Sequence, residues 1–166
     1  VRPSSESLDT ADLPEPEYEL PSSYTVRITG VGGSGVVTLS QIISTAATLA
    51  GRHVRTLDQT GLAQKGGAVV SDVKFTLDPL DQGSKASNAG CDLYLGCDLL
   101  VAADARYLTA TNALRTTAVV STSEVPTGQM VIDTSVDFPD VTKVSERISR
   151  EVAQHRLLDA RDLAVQ

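Results

Sequence analysis

The sequence YTVRITGVGGSGVV at residues 24–37 joins an apolar run, a glycine-rich turn and the start of an amphipathic stretch. The β-branched alternation from Tyr24 to Gly30 is typical of a buried strand, and the glycines after it permit a tight turn. From about Ser34 apolar residues recur every three or four positions, which predicts a helix whose C-terminal glycine is Gly51. A second strand is predicted from His53 to Asp58. This part of the chain therefore forms one βαβ unit.

The glycine turn is a candidate ligand site. Gly30, Gly32 and Gly35 satisfy G-x-G-x-x-G between a strand and a helix, and Asp58 ends the second strand where a ribose-binding acid would lie. Backbone N–H groups at such a junction face an anion placed there. A phosphate-binding P-loop fits less well, because valines follow Gly35 where lysine and Ser/Thr are required. The alternative is that the glycines only let the helix pack closely on the sheet.

A second unusual tract, TGLAQKGGAVVS, occupies residues 60–71. A dinucleotide-binding fold would normally continue into a crossover helix here, whereas this tract is polar and glycine-bearing and leads into a strand from Ala68 to Thr76. Such a loop can present a charge, an amide and bare backbone to a ligand or to a neighbouring domain.

The combination of G-x-G-G-x-G-V-V with T-G-L-A-Q-K-G-G-A-V-V-S resembles the gamma domain of the pyruvate/2-oxoacid:ferredoxin oxidoreductase family, and most closely its form in fused indolepyruvate ferredoxin oxidoreductases. The resemblance covers roughly Tyr24 to Gly128 and is weaker towards the end. It implies an assembly that uses thiamine diphosphate, Mg and 4Fe-4S clusters to oxidise a 2-oxo acid, reduces ferredoxin and releases an acyl-CoA. We expect this chain to be a component of such an assembly, with other domains or subunits as its partners.

The chain lacks the sequence motifs that would hold the cofactors of such an assembly, so we expect it to be inactive on its own. Cys91 and Cys97 are its two cysteines, so a four-cysteine cluster cannot be built from it. A thiamine diphosphate signature of the G-D-G type is absent, and the spacing of His53 and His155 does not suggest a metal pair. We therefore expect no catalytic residue, no metal ligand and no cofactor held by this chain alone.

Composition limits the kind of protein. The net charge of −7 argues against a nucleic-acid surface, and no apolar run is long enough to span a bilayer. The low count of two cysteines fits the cytoplasm, where disulfides are rare. Residues 1–23 hold six carboxylates, one arginine and four prolines, which predicts an acidic linker before a domain at 24–166. Because the chain begins at Val1, we expect a domain cut from a longer polypeptide; a processed independent subunit is the alternative.

The remaining pattern alternates strands and helices. It predicts a three-layer α/β/α domain around a mostly parallel sheet, with a Rossmann-like first βαβ unit. The later predicted elements are a strand at Cys91 to Cys97, a helix at Leu99 to Asn112, a strand at Thr117 to Ser121, a short strand at Gln129 to Ile132, a helix at Val141 to His155 and the start of another at Leu157.

Ligands collect at the carboxyl ends of strands in such sheets, so both unusual loops are expected on one rim. The predicted cofactor-binding residues are Gly32, Gly33, Ser34, Gly35, Gln64, Lys65, Gly66 and Gly67. They would hold an anion such as a coenzyme A phosphate or the cofactor diphosphate, unless Lys65 makes an inter-domain ion pair and the loops are packing surface. Two other functions remain open at this point, an autonomous dinucleotide-binding Rossmann module and a purely architectural inter-domain interaction domain.

Overall fold

The computed structural model describes residues 21–61, 67–79, 81 and 83–165. All but the last three residues of the predicted linker at 1–23 lie outside these ranges, as do Gln64, Lys65 and Gly66.

The described part of the chain alternates strands and helices as the sequence predicts. Its elements are β1 (Ser23–Val31), α1 (Val36–Leu49), β2 (His53–Thr60), β3 (Ala68–Thr76), β4 (Leu93–Gly96), α2 (Leu99–Ala102), α3 (Ala105–Leu108), β5 (Thr117–Ser121), α4 (Gly128–Ile132), α5 (Val141–Arg150), β6 (Gln154–Leu158) and α6 (Ala160–Val165).

The strands form one six-stranded sheet in the order β2-β3-β1-β4-β5-β6. Strand β3 runs antiparallel to both of its neighbours, and the other five strands share one direction. The predicted mostly parallel sheet is therefore confirmed. The two strands of the first βαβ unit are parallel but do not pair, because β3 is inserted between them.

Each face of the sheet carries its own apolar core, which confirms the three-layer architecture. On one face, α1 packs on β1, β2 and β3 and buries Val26, Ile28 and Val73. On the other face, Tyr94 and neighbouring side chains of β5 pack against α2 and α5. Ile28 is fully buried, and a side chain of this size contributes about 1.5–3 kcal/mol when it leaves water.

The predicted helix from Leu99 to Asn112 is wrong as one element, because the chain forms the separate single turns α2 and α3. Asp104 stands between them in an extended conformation, and its carboxylate accepts a 2.9 Å hydrogen bond from the Arg106 N–H. A side chain that bonds the backbone two residues further on ends one helix and caps the next.

Two further sequence predictions are corrected near the C-terminus. The short strand predicted at Gln129 to Ile132 is the helix α4, which Thr127 caps. The helix predicted at Val141 to His155 ends at Arg150, and His155 lies in the edge strand β6. The helix predicted from Leu157 begins at Ala160, after that strand. Edge strands are largely exposed, so β6 lacks the apolar alternation that identifies a buried strand.

Candidate functional site

The carboxyl ends of β1 and β2 and the start of β3 lie on one rim of the sheet. Val31 of β1 pairs with Ala68 of β3, and the N–H of Gly32 donates a 3.0 Å hydrogen bond to the carbonyl oxygen of Gly67. The glycine turn and the end of the second loop therefore touch, as the sequence predicts.

The glycine turn has a conformation that requires glycine at two positions. Gly33 and Gly35 have φ angles of 93° and 86°, in the left-handed region that other residues rarely adopt. Between them, the N–H and Oγ of Ser34 both donate to the carbonyl of Val31, at 3.0 and 2.7 Å. The turn is thus closed by its own hydrogen bonds.

These bonds identify which groups of the turn remain available to a ligand. The N–H of Gly32 and both donors of Ser34 are already engaged, so neither residue offers the anion site that the sequence suggests. The first N–H groups of α1, at 36–38, have no acceptor within the helix, and no side chain caps it. In contrast, α2, α3, α4 and α5 each begin with a side-chain cap. The α1 N-terminus is therefore the candidate anion-binding point.

One cleft at this rim, which we call the α6 cleft, has a volume of about 430 Å³. It is lined by residues of the glycine turn and of the ends of β4, β5 and β6, namely Val31, Gly32, Gly33, Ser34, Cys97, Ser121, Ser123, Val125, Ala160 and Arg161. Such a crevice at the carboxyl ends of parallel strands is the usual ligand position in an open α/β sheet.

A hydrogen-bond network fixes the wall of the α6 cleft that α6 provides. The Ser123 hydroxyl donates to Asp159 at 2.5 Å, and the Asp159 carboxylate accepts the Arg161 N–H at 3.0 Å. The hydrogen bond from Ser123 lowers the pKa of Asp159. The backbone of Arg161 is thereby held at the border of the cleft. Sequence reasoning missed this cation because it did not predict the strand that precedes it.

A second cleft, the α3 cleft, has a volume of about 380 Å³ and lies on the other side of Gly32. It is lined by Val31, Gly32, Ala68, Asp98, Leu100, Val101, Asp104, Arg106, Tyr107, Val125, Pro126, Thr127 and Gly128. The guanidinium of Arg106 pairs with Asp104 at 2.6 Å and stacks 5.4 Å from the centre of the Tyr107 ring. The two clefts share Val31, Gly32 and Val125, so the glycine turn separates two adjoining spaces.

Asp98 is a buried carboxylate in the α3 cleft. It follows β4 and accepts a 2.8 Å hydrogen bond from the Val101 N–H, which caps α2. Burial raises the pKa of Asp98, while hydrogen bonds from backbone N–H groups oppose the rise. The capping bond gives this side chain a structural role.

Asp58 does not occupy the position of the ribose-binding acid in a dinucleotide site. Asp58 accepts a 2.5 Å hydrogen bond from the Ser71 hydroxyl within the sheet. Because β3 separates β2 from β1, Asp58 lies two strand spacings, or about 10 Å, from the strand that carries the glycine turn. This geometry argues against the autonomous dinucleotide-binding module.

The cysteines and histidines do not assemble into a site. The Cys91 thiol is buried and hydrogen-bonds to the Leu93 carbonyl at 2.9 Å, whereas Cys97 belongs to the core on the opposite face. His53 and His155 are exposed on the two edge strands. Across the residues described, no cluster of three or more His, Cys, Asp or Glu could hold a metal ion. The helices within these ranges include none long and apolar enough to cross a membrane.

The chain is a three-layer α/β domain with two clefts at the carboxyl ends of its parallel strands, which is where such folds usually bind ligands. Residues 25–166 match the family described as pyruvate ferredoxin/flavodoxin oxidoreductase, and the chain belongs to that family. The resemblance stated from the glycine turn and the tract at 60–71 is confirmed. The chain is a component of an oxidoreductase of this family.

Curated relatives are subunits of indolepyruvate oxidoreductases. Subunit IorB of Pyrococcus horikoshii is 27% identical over 145 residues, which cover 86% of this chain and 68% of that protein. Subunit IorB of Archaeoglobus fulgidus is 42% identical over 59 residues, which cover 32% of this chain and 29% of that protein.

Solved structures share the fold. Pyruvate oxidoreductase subunit PORC from Thermotoga maritima matches with a TM-score of 0.61 and 16% identity, covering 88% of this chain and 67% of that one. The 2-oxoglutarate:ferredoxin oxidoreductase from Magnetococcus marinus matches with a TM-score of 0.52 and 20% identity, covering 81% of this chain and 20% of that one. In the latter protein the matching fold is one part of a much longer chain.

Proposed function

We propose that this chain is the gamma-type domain that holds the phosphate end of coenzyme A in an enzyme that oxidatively decarboxylates an arylpyruvate and passes electrons to ferredoxin. The proposal is carried by the uncapped N-terminus of α1, whose residues 36–38 line a hollow that shares Val31 and Gly33 with the α6 cleft, and by Arg161, which lines the α6 cleft itself. N–H groups at a helix N-terminus and a guanidinium are complementary to a phosphate.

The other cofactors of the family fit this chain poorly. Its two cysteines cannot ligate a 4Fe-4S cluster, and the described residues contain no cluster of three or more His, Cys, Asp or Glu that could hold a metal ion. We therefore assign thiamine diphosphate, magnesium and the clusters to other domains or subunits of the assembly. In this proposal coenzyme A supplies the thiol that accepts the acyl group, and the chain binds and orients its phosphates.

Each part of the rim has a role in the proposed site. The N–H groups at 36–38 and Arg161 neutralise the phosphate, and Lys65 adds a second cation from the tract at 60–71. Gly33 and Gly35 allow the backbone to approach the phosphate closely. The rest of the ligand passes Gly32 into the α3 cleft, where Tyr107 and Arg106 offer a planar surface. Gln64 would add an amide donor, and Gly66 and Gly67 carry no side chain that could obstruct the ligand.

The nature of the 2-oxo acid rests on the relatives. The IorB subunits are named for indolepyruvate, which supports an arylpyruvate substrate selected by other domains. The proposed compartment is the cytoplasm, which the two unbridged cysteines support.

Steady-state kinetics of the complete oxidoreductase test the proposal. Arg161→Ala and Lys65→Ala should each raise the KM for coenzyme A about tenfold or more, because each removes a charge-assisted hydrogen bond. Arg156→Ala is the matched control, since Arg156 is exposed on β6 and lines neither cleft. A rise in the apparent requirement for thiamine diphosphate instead would identify the cofactor diphosphate as the bound anion.

The architectural alternative predicts a different result. If the rim is packing surface, the two variants should leave every KM unchanged and weaken assembly, as measured by analytical ultracentrifugation of the complex. Micromolar binding of NAD or FAD in calorimetric titrations would overturn both readings in favour of a dinucleotide-binding module.

A further inference from the structure

A buried ion pair joins β1 to β3 on the face of the sheet opposite α1. The Arg27 guanidinium donates to both carboxylate oxygens of Asp72, from Nε and from Nη2, each at 2.8 Å. The side chains are 5% and 1% exposed. The ion pair lies outside the glycine turn, and the proposed anion site does not use it.

This pair reaches α3 by two routes. The remaining Nη1 of Arg27 donates to the carbonyl of Tyr107 at 3.2 Å. Asp72 also accepts the Ala86 N–H at 2.8 Å, and three residues later Ala89 donates its N–H to the carbonyl of Thr109 at 2.9 Å. One route meets the end of α3 directly, and the other holds the segment that packs beside it.

Helix α3 needs such external support. It consists of four residues, of which only Leu108 is buried. A single helical turn gains little from its own hydrogen bonds, so its position depends on contacts with the rest of the fold. Arg106 and Tyr107 on this turn form the wall of the α3 cleft.

Stability alone is a weak reason for burying this pair. Taking two charges out of water costs about as much as their attraction returns, and apolar side chains of similar volume often serve the core as well. A bidentate guanidinium whose third nitrogen is left over, however, fixes the direction of a third group in a way that apolar packing does not.

We infer that Arg27 and Asp72 are a positioning pair for the α3 cleft: they hold Arg106 and Tyr107 in place to receive the part of the ligand that lies beyond Gly32. This inference rests on the proposed function for the ligand itself. The positioning of α3 by this pair, however, does not depend on which ligand binds.

A variant that restores the core without the hydrogen bonds separates positioning from stability. In the complete oxidoreductase, Arg27→Met alone should lower the Tm strongly because Asp72 is left buried without its partner. The double variant Arg27→Met/Asp72→Leu should recover most of the Tm. It should nevertheless keep a KM for coenzyme A raised about tenfold, because displacement of a cleft wall by even 1 Å weakens binding.

Hydrogen exchange gives a readout that needs no ligand. Amides at 105–109 in the double variant should exchange at least tenfold faster than in the wild type, while amides of β1 and β5 keep their protection. Arg115→Met is the matched control: Arg115 pairs with Asp92 at 2.8 Å, half-exposed and outside both clefts, and its loss should change neither the KM nor the exchange at 105–109.

Recovery of the Tm, the KM and the α3 protection together in the double variant would overturn the inference. If the double variant does not fold, Arg27→Lys replaces it, since lysine keeps the charge but cannot bond Asp72 twice and also reach Tyr107. Wild-type exchange rates in α3 of that variant would refute the inference.

Tyr107→Ala separates this inference from the proposed function. An unchanged KM for coenzyme A in that variant shows that the ligand does not use the α3 cleft, and the exchange data then decide the positioning role alone.

Discussion

The Gly32 N–H donates a 3.0 Å hydrogen bond to the carbonyl oxygen of Gly67, and this bond joins the glycine turn to the connection between β2 and β3. It engages the Gly32 donor, so the uncapped N–H groups of α1 are the candidate donors for an anion at the turn. The consequences of this arrangement can be tested residue by residue.

Gly30, near the end of β1, has no room for a side chain. A Cβ there would collide with the Ser34 hydroxyl and would lie 2.8 Å from a methyl of Val36 and 3.0 Å from the Cβ of Cys97. Gly30→Ala should therefore destabilise the protein by about 1–3 kcal/mol. Urea denaturation measures the change, and Gly128→Ala, where a Cβ meets nothing within 4 Å, should be close to neutral.

Gly35 and Gly32 should respond differently to alanine. Gly35 has a φ of 86°, so alanine there is strained by about 1–2 kcal/mol even though space is free around it. Gly32 has no such angle, and a Cβ there would lie 3.9 Å from the Gly67 carbonyl oxygen, an ordinary contact. Thermal unfolding of both variants checks the difference; equal losses of stability would contradict the role assigned to the left-handed angle.

Asp98 should give a defined dependence of stability on pH. Burial raises its pKa above the ordinary value of 3.8, so the folded state binds the proton more tightly than the unfolded state. The contribution of Asp98 to the free energy of unfolding is therefore fully present below pH 3.8, and it is lost as the pH rises through the higher pKa of the folded state.

Asp98→Asn keeps the helix cap and removes this titration, whereas Asp98→Ala also loses the cap at a cost of about 1 kcal/mol. Urea titrations at several pH values should show the wild type losing stability relative to Asp98→Asn as pH rises above 4. A constant difference across that range would contradict the assignment.

The two thiols should react slowly, and Cys97 faster than Cys91. Burial raises the pKa of Cys91 to about 12, and burial also raises the pKa of the half-buried Cys97. The thiolate is the reactive form, and only a small fraction of either cysteine is a thiolate at pH 8. Iodoacetamide labelling followed by mass spectrometry should modify Cys97 first, with both residues labelled rapidly after denaturation in guanidinium. Fast labelling of Cys91 in the folded protein would show that its environment is open.

The strands predicted best from the sequence are those whose two faces are both largely buried. The spans of β3 and β5 agree with the prediction, and Gly51, with a φ of 75°, ends α1 as expected. In β1 the alternation of Val26 and Ile28 with polar residues is visible, but the burial of Arg27 on the other face is not, because its partner Asp72 is remote in sequence. Local pattern identifies a strand, and only the folded chain shows what covers each face.

The site was predicted in part for a related reason. The rim follows from the two loops, yet its donors depend on strand order, which periodicity does not specify. Inserting β3 between β1 and β2 moves Asp58 away from the glycine turn, and adding β6 at the edge brings Arg161 to the α6 cleft. Short segments such as α4 are misassigned because a run of three apolar residues, here Met130 to Ile132, fits a strand and a helix equally well.

The hairpin formed by β2 and β3 allows the connection between these strands to vary in length. Gly61 donates its N–H to the carbonyl of Ala68 at 2.9 Å, so the two strands remain paired up to the ends of the connection between them. With its ends fixed in this way, doubling the length of such a connection adds only about 0.6 kcal/mol of closure entropy. The length of the connection can therefore change at little cost to the stability of the sheet on which it stands.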